Sequence, residues 1–391
     1  MKDIKTIDSL YHACTYGRAP VVFERGRGAR LWDDKGRDYI DFGSGIGVMS
    51  LGYANPEWVK AVSEQAAVLP HTSNLFYNEK TAMLAGRLAL RTHFERVFLS
   101  NSGAEANECL IKTARKWASD TKGEGEHPFV TLVNSFHGRT LTTVTATGQD
   151  TFHKFFGPFT PGFRYVPASD LAALERQLDA EDCSAVLVEI VQGEGGVRAL
   201  DADYLKLCHE KNVLFCVDEV QTGNGRTGTW FAYEQFGLSP DLVSTAKGLG
   251  NGLPIGATLM GSKTAEVLTP GTHGSTFGGN PVACAGALSV LEQIDDAFLE
   301  AVKQKGAWLT AELEKIPGVK DVSGLGLMLG FSVEGCKSAD IKAKALDNGL
   351  VVLTAKDRVR LLPPLAITEE ELSDGLLRLA AAIREVQEAA H

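Results

Sequence analysis

The sequence predicts an α/β protein: a large domain with a mostly parallel central sheet flanked by helices, and a smaller α+β domain built from the two chain ends. Strand-like and helix-like segments alternate over residues 95–262, which is typical of a parallel sheet with helical connections. Residues 319–366 instead combine short strand-like segments with one helix. A chain of 391 residues is also too long for a single small core, so a second domain is expected.

The elements follow from the hydrophobic pattern and the turn residues. Segments 1–65 and 282–391 are expected to form the small domain, and residues 66–281 the large one. Residues 1–30 are expected to be mostly irregular, before a hairpin of residues 29–32 and 38–42. Further strands are expected at 97–100, 129–134, 141–147, 184–191, 213–217 and 242–246. Helices are expected at 56–69, 78–91, 103–119, 203–211, 282–315 and after the capping box Thr368–Glu371.

Composition and charge exclude several classes of function. The net charge of −10 disfavours nucleic acid and anionic membranes as partners. The seven cysteines include no CxxC pair, so neither a metal site nor a disulfide framework is expected. No apolar run is long enough to span a membrane, and residues 1–5 contain no apolar signal core. We therefore expect a reduced, cytoplasmic protein without a metal.

The rest of the chain is organised around residues 242–256. A short apolar strand runs into a glycine-rich turn, and Lys247 lies where the two meet. Burial disfavours the ammonium form, which lowers the pKa and makes the amine a usable nucleophile toward a carbonyl. For a single lysine, the commoner alternative is a strand-end side chain that reaches solvent.

Other polar or aromatic residues also follow predicted strands. Phe136, Glu194 and Asp218 lie at strand ends, and ligands of parallel sheets bind beyond the carboxyl ends of the strands. One site could therefore collect them with Lys247. Taken singly, Phe136 is more often a core residue, and Glu194 more often a solvated loop charge.

A second feature is the turn Ser102-Gly103-Ala104, which falls at the N-terminus of a predicted helix. Free backbone N–H groups and the helix dipole make such a turn an anion site. The glycine and lysine spacing is not that of a Walker loop, and an ordinary capped helix is the alternative.

Together these residues suit a pyridine cofactor. Such a cofactor needs an amine to form a Schiff base, a carboxylate to keep its ring nitrogen protonated, and an anion site for its phosphate. The sequence offers Lys247, Asp218 and the Ser102–Ala104 turn for these three roles, and Phe136 to stack on the ring.

These motifs resemble those of the class III, fold-type-I aminotransferases that use pyridoxal 5′-phosphate, and most closely the acetylornithine aminotransferase branch. The resemblance covers nearly the whole chain. It is carried by residues 74–79, 100–108, 136–140, 192–196, 218–223, 225–228, 247–257, 273–281 and 360–365. One departure lies at Ile190, where relatives commonly have proline after the glutamate, and it puts no named role in doubt.

The resemblance implies a role for each matching residue around the cofactor. Lys247 would carry the cofactor covalently and later move the proton, while Asp218 would pair with the ring nitrogen. The remaining cofactor contacts would come from Ser102, Gly103, Ala104, Phe136, Val220, Gln221 and Thr276. Thr276 would reach the phosphate from the other subunit of a homodimer with composite sites.

The resemblance also implies the substrate contacts. Arg139 would bind a substrate carboxylate, although a lone arginine is more often a surface ion-pair residue. Ser275 would lie close to substrate, and Glu194 and Arg360 would let one site accept two substrates in turn.

The implied reaction moves the terminal amine of N2-acetyl-L-ornithine to 2-oxoglutarate, giving N-acetylglutamate 5-semialdehyde and L-glutamate for arginine biosynthesis. Ornithine, succinylornithine and 4-aminobutyrate are alternative donors. A non-catalytic protein that binds pyridoxal phosphate or phosphate is an alternative from another class, although mere binding needs no electron sink. A dinucleotide oxidoreductase would need a GxGxxG turn after the first strand of a βαβ unit, and residues 43–47 do not supply one.

Overall fold

A computed structural model gives the fold of residues 3–389. Residues 1–2 and 390–391, the ends of the two segments assigned to the small domain, lie outside the described residues. The helices are α1 (Ile4–Tyr11), α2 (Ser44–Gly47), α3 (Pro56–Val68), α4 (Glu79–Thr92), α5 (Gly103–Lys122), α6 (Leu141–Ala146), α7 (Asp150–His153), α8 (Leu171–Leu178), α9 (Ala202–Glu210), α10 (Pro281–Gln293), α11 (Asp296–Leu313), α12 (Ser338–Asp347) and α13 (Glu369–Ala389). None of the helices found between residues 3 and 389 combines the length and apolar character needed to cross a bilayer.

The strands form a large sheet and smaller ones. They are β1 (Phe23–Arg27), β2 (Arg30–Asp33), β3 (Asp38–Asp41), β4 (Arg96–Ser100), β5 (Phe129–Leu132), β6 (Phe163–Val166), β7 (Ala185–Val188), β8 (Val191–Gln192), β9 (Arg198–Ala199), β10 (Leu214–Asp218), β11 (Leu242–Thr245), β12 (Gly256–Met260), β13 (Val319–Leu325), β14 (Met328–Val333), β15 (Leu350–Val351), β16 (Leu353–Ala355) and β17 (Arg358–Leu361).

The central sheet has seven strands in the order β4-β12-β11-β10-β7-β5-β6. Strand β12 runs antiparallel to both of its neighbours, and the other adjacent pairs are parallel. Every residue of β5, β7, β10 and β11 is buried, as expected when helices cover both faces of a sheet. The predicted α/β class with a mostly parallel central sheet is confirmed.

The two chain ends share a second sheet. Strands β1, β2 and β3 form an antiparallel meander, and β15 joins it in parallel next to β3. A separate antiparallel sheet, in the order β13-β14-β17-β16, follows from the C-terminal part. The smaller α+β unit therefore draws on both ends of the chain. The boundaries after residues 65 and 281 stay a prediction, and residue 65 lies inside α3.

A buried arginine ties the segment after β10 to the C-terminal part of the chain. Arg226 is 2% exposed, and its Nη1 donates to the carbonyl oxygens of Leu327 at 3.0 Å and Pro363 at 2.5 Å. Burial lowers the pKa of this guanidinium to about 9, and the charge of Asp41 opposes that shift. The contact fixes Pro363, two residues after the end of β17, beside the segment that follows β10.

The strand expected at residues 141–147 is wrong, because residues 141–146 form α6. Thr140 caps this helix: its Oγ1 accepts from the Thr143 N–H at 3.4 Å, and Thr143 Oγ1 accepts from the Thr140 N–H at 3.1 Å. The Thr145 hydroxyl donates to the Leu141 carbonyl one turn back. Threonine-rich runs favour strands by propensity, and here the side-chain bonds to the backbone support a short helix instead.

Two further expectations differ from the structure. The single helix expected at residues 282–315 is two helices, because Asp295 accepts from the Phe298 N–H at 2.8 Å and begins α11. Residues 4–11 form α1 where an irregular segment was expected, and Asp3 caps it through the Thr6 N–H. The capping box at Thr368 and Glu371 is confirmed by reciprocal side-chain to backbone bonds.

Candidate active site

Parallel pairing of β10 and β11 brings Asp218 and Lys247 together. Asp218 is the last residue of β10 and lies opposite Ser244 of β11, three residues before Lys247. A cavity of about 380 Å³ opens at this edge of the sheet. Its lining includes these predicted site residues: Ser102, Gly103, Ala104, Phe136, Arg139, Asp218, Val220, Gln221 and Lys247.

The Asp218 carboxylate is buried and held by three donors. Its Oδ2 accepts from Asn107 Nδ2 and from His137 Nδ1, each at 2.8 Å, and its Oδ1 accepts from the Val220 N–H at 3.0 Å. Asn107 is fixed in turn, because its Oδ1 accepts from the Ser244 hydroxyl at 2.6 Å. These bonds orient the carboxylate at the wall of the cavity.

Lys247 combines a strained backbone with a desolvated amine. Its φ is +45°, in the left-handed region, where a non-glycine residue costs of order 1–3 kcal/mol. Burial lowers the pKa of the amine, and the nearby charges of Asp218 and Glu194 partly oppose the shift. The predicted lowering of the Lys247 pKa is therefore found, and the amine faces a cavity that also contains a carboxylate.

The N-terminus of α5 forms another wall of the cavity. Ser102 caps this 20-residue helix by accepting from the Glu105 N–H at 3.2 Å. The next two N–H groups, of Gly103 and Ala104, are the unpaired donors that every helix begins with. A Cβ on Gly103 would lie 2.6 Å from Cγ1 of Val220, so only glycine fits there. The turn can accept an anion on its backbone N–H groups.

A buried carboxylate, Glu189, joins two loops at the cavity. Its Oε1 accepts from the Phe136 N–H at 2.8 Å, and its Oε2 accepts from the Gly193 N–H at 3.2 Å. Burial raises the pKa of the Glu189 carboxyl to about 7, and the Asp218 charge adds to this effect. Glu189 thereby fixes the loop that carries Phe136 relative to the loop that carries Glu194.

The predicted pair Glu194 and Arg360 is an ion pair in the structure. Arg360 Nη1 donates to Glu194 Oε1 at 2.5 Å and to Gln221 Oε1 at 3.2 Å. The Arg360 side chain is 4% exposed and that of Glu194 is 27% exposed. Gln221 lines the cavity, so the pair lies directly behind its wall, and both charges act on the Lys247 amine.

Ser275 and Thr276 lie outside the Lys247 cavity. They line a separate cavity of about 340 Å³ with residues that include His273 and Glu108. Asn101 lines both cavities, and its Nδ2 donates to Ser275 Oγ at 3.3 Å. Within one chain, the structure therefore does not bring Thr276 to the phosphate-type turn at Gly103.

The cavity fits pyridoxal phosphate by the chemistry of its donors. An amine, a fixed carboxylate and a helix N-terminus face one space, as the aldehyde, ring nitrogen and phosphate of that cofactor require. Beside Asp218, His137 Nε2 is buried and has no hydrogen-bond partner among residues 3–389.

Three residues at the site were not predicted from the sequence: Asn107, His137 and Glu189. Each acts through another residue: Asn107 and His137 on Asp218, and Glu189 on the Phe136 loop. The available signals were indirect, since His137 adjoins Phe136 and Glu189 ends the strand before the Glu194 loop.

Comparison with known proteins gives consistent matches. The sequence model of the family described as aminotransferase class-III matches residues 11–383. The acetylornithine aminotransferase of Haemophilus ducreyi is 49% identical over 388 residues, which cover 98% of this chain and 99% of that protein. The solved ornithine aminotransferase of Toxoplasma gondii superposes with a TM-score of 0.94 at 37% identity, covering 98% and 95% of the two chains. The N-acetylornithine aminotransferase of Stenotrophomonas maltophilia has a TM-score of 0.86 at 38% identity, covering 98% and 99%.

Proposed function

The chain belongs to the class-III aminotransferases, which use pyridoxal phosphate, and from this premise we propose that it transfers the terminal amine of N2-acetyl-L-ornithine to 2-oxoglutarate. The products are N-acetylglutamate 5-semialdehyde and L-glutamate, and the reaction serves arginine biosynthesis in the cytoplasm. The acetyl group on the donor is proposed because the Haemophilus ducreyi relative is an acetylornithine aminotransferase.

The structural observation that supports this proposal is the Glu194–Arg360 ion pair beside Lys247. A terminal-amine donor places its carboxylate far from the reacting carbon, whereas glutamate places one directly beside it. A buried arginine that helps glutamate would be an unpaired charge beside the other donor, and unpaired buried charge is costly. A glutamate that pairs with Arg360 for one donor and moves aside for the other meets both needs.

The proposed chemistry divides between two residues. Pyridoxal phosphate, when bound, supplies a carbonyl that takes the amino group and a ring that takes up electrons. The Lys247 amine, with its lowered pKa, accepts and returns the proton at the substrate carbon. The Asp218 carboxylate, fixed by Asn107 and His137, holds a proton at the ring nitrogen.

The remaining site residues bind and orient. We assign the phosphate to the backbone of Gly103 and Ala104 with the Ser102 cap, and the ring faces to Phe136 and Val220. Gln221 is assigned to the ring hydroxyl. Arg139 is assigned to the carboxylate of the substrate that lies far from the reacting carbon.

We propose a homodimer in which Thr276 completes the partner's phosphate site and Ser275 lies near its substrate. The loop that carries these residues is held by Asn74, whose Nδ2 donates to the carbonyls of Ser275 and Gly278. Next to it lies an apolar surface with four exposed side chains: Leu75, Phe76, Tyr77 and Phe277. An exposed apolar patch beside a site-forming loop supports an interface there. An active, stable monomer in sedimentation velocity would refute the composite site.

Free ornithine is a second candidate donor, favoured by the likeness to the Toxoplasma gondii ornithine aminotransferase. A half-reaction screen tests both. The holoenzyme is mixed with acetylornithine, ornithine, succinylornithine or 4-aminobutyrate, and the change in cofactor absorbance is followed. We expect the highest kcat/KM with acetylornithine. A higher value with any other donor would assign the substrate to that donor and leave the reaction class unchanged.

A further inference from the structure

Arg139 is an exposed cation at the cavity that is held by rings and not by a carboxylate. Its Cζ lies 4.4 Å from the ring centroid of Phe152 and 5.6 Å from that of Phe136. The two rings contact each other edge to face, with centroids 5.4 Å apart and planes at 72°. Among residues 3–389, Arg139 forms no ion pair with a carboxylate.

The segment that carries Phe152 is fixed to the strand end that carries Phe136. The Asn134 N–H donates to the Gly148 carbonyl at 2.7 Å, and the Gly148 N–H donates to Ser135 Oγ at 3.0 Å. Gln149 Nε2 donates to the Ser135 carbonyl at 2.9 Å, and the Phe152 N–H donates to the Gln149 carbonyl. Phe152 is therefore held at a set distance from the Phe136–Arg139 loop.

An aromatic partner suits a substrate-binding arginine better than an acidic one. A carboxylate would occupy the N–H groups of the guanidinium and compete with the carboxylate of the substrate. A ring attracts the cation over its face and leaves the N–H edge free for a bidentate contact. The ring also limits the motion of a long side chain before substrate arrives, which lowers the entropy cost of binding.

We propose that Phe152 is a positioning residue for substrate recognition: it holds the Arg139 guanidinium ready for the distal carboxylate of both substrates. The inference rests on the proposed function, in which Arg139 binds that carboxylate. Phe152 affects binding through Arg139 and takes no part in the proton transfers at Lys247.

The test compares three variants of the holoenzyme with the wild type. Phe152→Leu keeps an apolar side chain and removes the ring, and Phe152→Tyr keeps the ring. Phe155→Leu is the matched control, because Phe155 lies in the same segment and is 96% exposed. The probes are KM and kcat for acetylornithine and 2-oxoglutarate, and the inhibition constant of glutarate, a dicarboxylate that cannot react.

We expect Phe152→Leu to raise both KM values and the glutarate constant by about three- to tenfold, the effect of losing a partly exposed cation–π contact. The kcat values should stay within about twofold, as expected when ground-state and transition-state binding weaken equally. Phe152→Tyr and Phe155→Leu should behave as the wild type.

Three results would overturn the inference. The first is an unchanged glutarate constant in Phe152→Leu. The second is an equal effect in Phe155→Leu. The third is a loss of kcat together with a changed cofactor spectrum, which marks a general structural role. If Phe152→Leu does not fold, Phe152→Met replaces it under the same criteria. If the wild type does not use acetylornithine, the proposed donor is wrong, and the 2-oxoglutarate and glutarate constants still decide the role of Phe152.

Discussion

Removing the Glu194 carboxylate should shift the enzyme toward glutamate and away from the terminal-amine donor. In the structure, Glu194 Oε1 occupies Arg360 Nη1 at 2.5 Å, and Gln221 Oε1 is the other acceptor at 3.2 Å. The α-carboxylate of glutamate must compete with Glu194 for Arg360 Nη1. In Glu194→Ala that competition is absent, while Gln221 still holds the guanidinium in place.

The size of the effect follows from the contact that is lost. Hydrogen bonds to charged groups contribute about 1.5–3 kcal/mol, and the lower end applies here because the Glu194 side chain is 27% exposed. About 1.5 kcal/mol corresponds to roughly a tenfold gain for glutamate. The terminal-amine donor should react more slowly, because its apolar stem would then lie beside a guanidinium without a carboxylate partner.

Single-turnover kinetics separate the two half-reactions. The holoenzyme is mixed with glutamate or with acetylornithine, and the ratio of their kcat/KM values is compared between Glu194→Ala and the wild type. We expect the glutamate to acetylornithine ratio to rise about tenfold or more. The control compares Arg360→Met with the double variant Arg360→Met and Glu194→Ala. If Glu194 acts only through Arg360, its removal should change the donor ratio little once Arg360 is gone. An equal fall for both donors would show that Glu194 is a general structural residue.

Three further predictions concern the buried groups of the site and core. Lys247→Ala should still bind the cofactor through its phosphate and ring contacts but turn over very slowly. In the wild type, borohydride should trap the cofactor on Lys247, and trapping on another lysine would contradict the role given to Lys247. Asp218→Asn should keep most cofactor binding while the proton-abstraction step slows by orders of magnitude, so a near-wild-type single-turnover rate would contradict the role given to Asp218. Burial raises the pKa of the Glu219 carboxyl from 4.5 to about 7, so the folded state keeps a proton that the unfolded state releases between these values. This stabilising contribution is fully present below pH 4.5 and is lost as the pH rises through 7. The free energy of unfolding, measured with urea at pH 5 and pH 8, should therefore fall less in Glu219→Gln than in the wild type, by at most about 3 kcal/mol. An equal fall in both proteins would assign the pH dependence to other groups.

Most of the central sheet, and the edge that carries Asp218 and Lys247, could be predicted because both follow from local patterns. Strands β6 and β12 were not predicted. The strands β5, β7, β10 and β11 are short and fully buried, and they are rich in apolar and β-branched residues, which favours strands. Parallel strands bring their carboxyl ends to one edge, and Asp218 and Lys247 meet there for that reason alone.

The wrong elements share a cause, which is a side-chain bond that outweighs the pattern. At residues 141–146, β-branched residues suggested a strand, and the Thr140–Thr143 capping bonds support a helix. Between α10 and α11, the hydrophobic pattern continues, and the Asp295 cap begins a new helix. Such bonds depend on where a hydroxyl or carboxylate points, which the periodicity of a sequence does not record.

Asp218 shows why residues that line the cavity could be predicted from the sequence, while the residues that orient them could not. Its position follows from the end of β10, but the direction of its carboxylate depends on Asn107 in α5 and His137 after β5. Asn107 uses one amide N–H on Asp218 and the other on the His137 carbonyl at 2.8 Å, so a single side chain couples three elements. An asparagine inside a helix commonly faces solvent. Asn107 faces the site because α5 packs against β10 and β11. Tertiary packing therefore places the residues that orient Asp218, whereas the order of the strands places Asp218 itself.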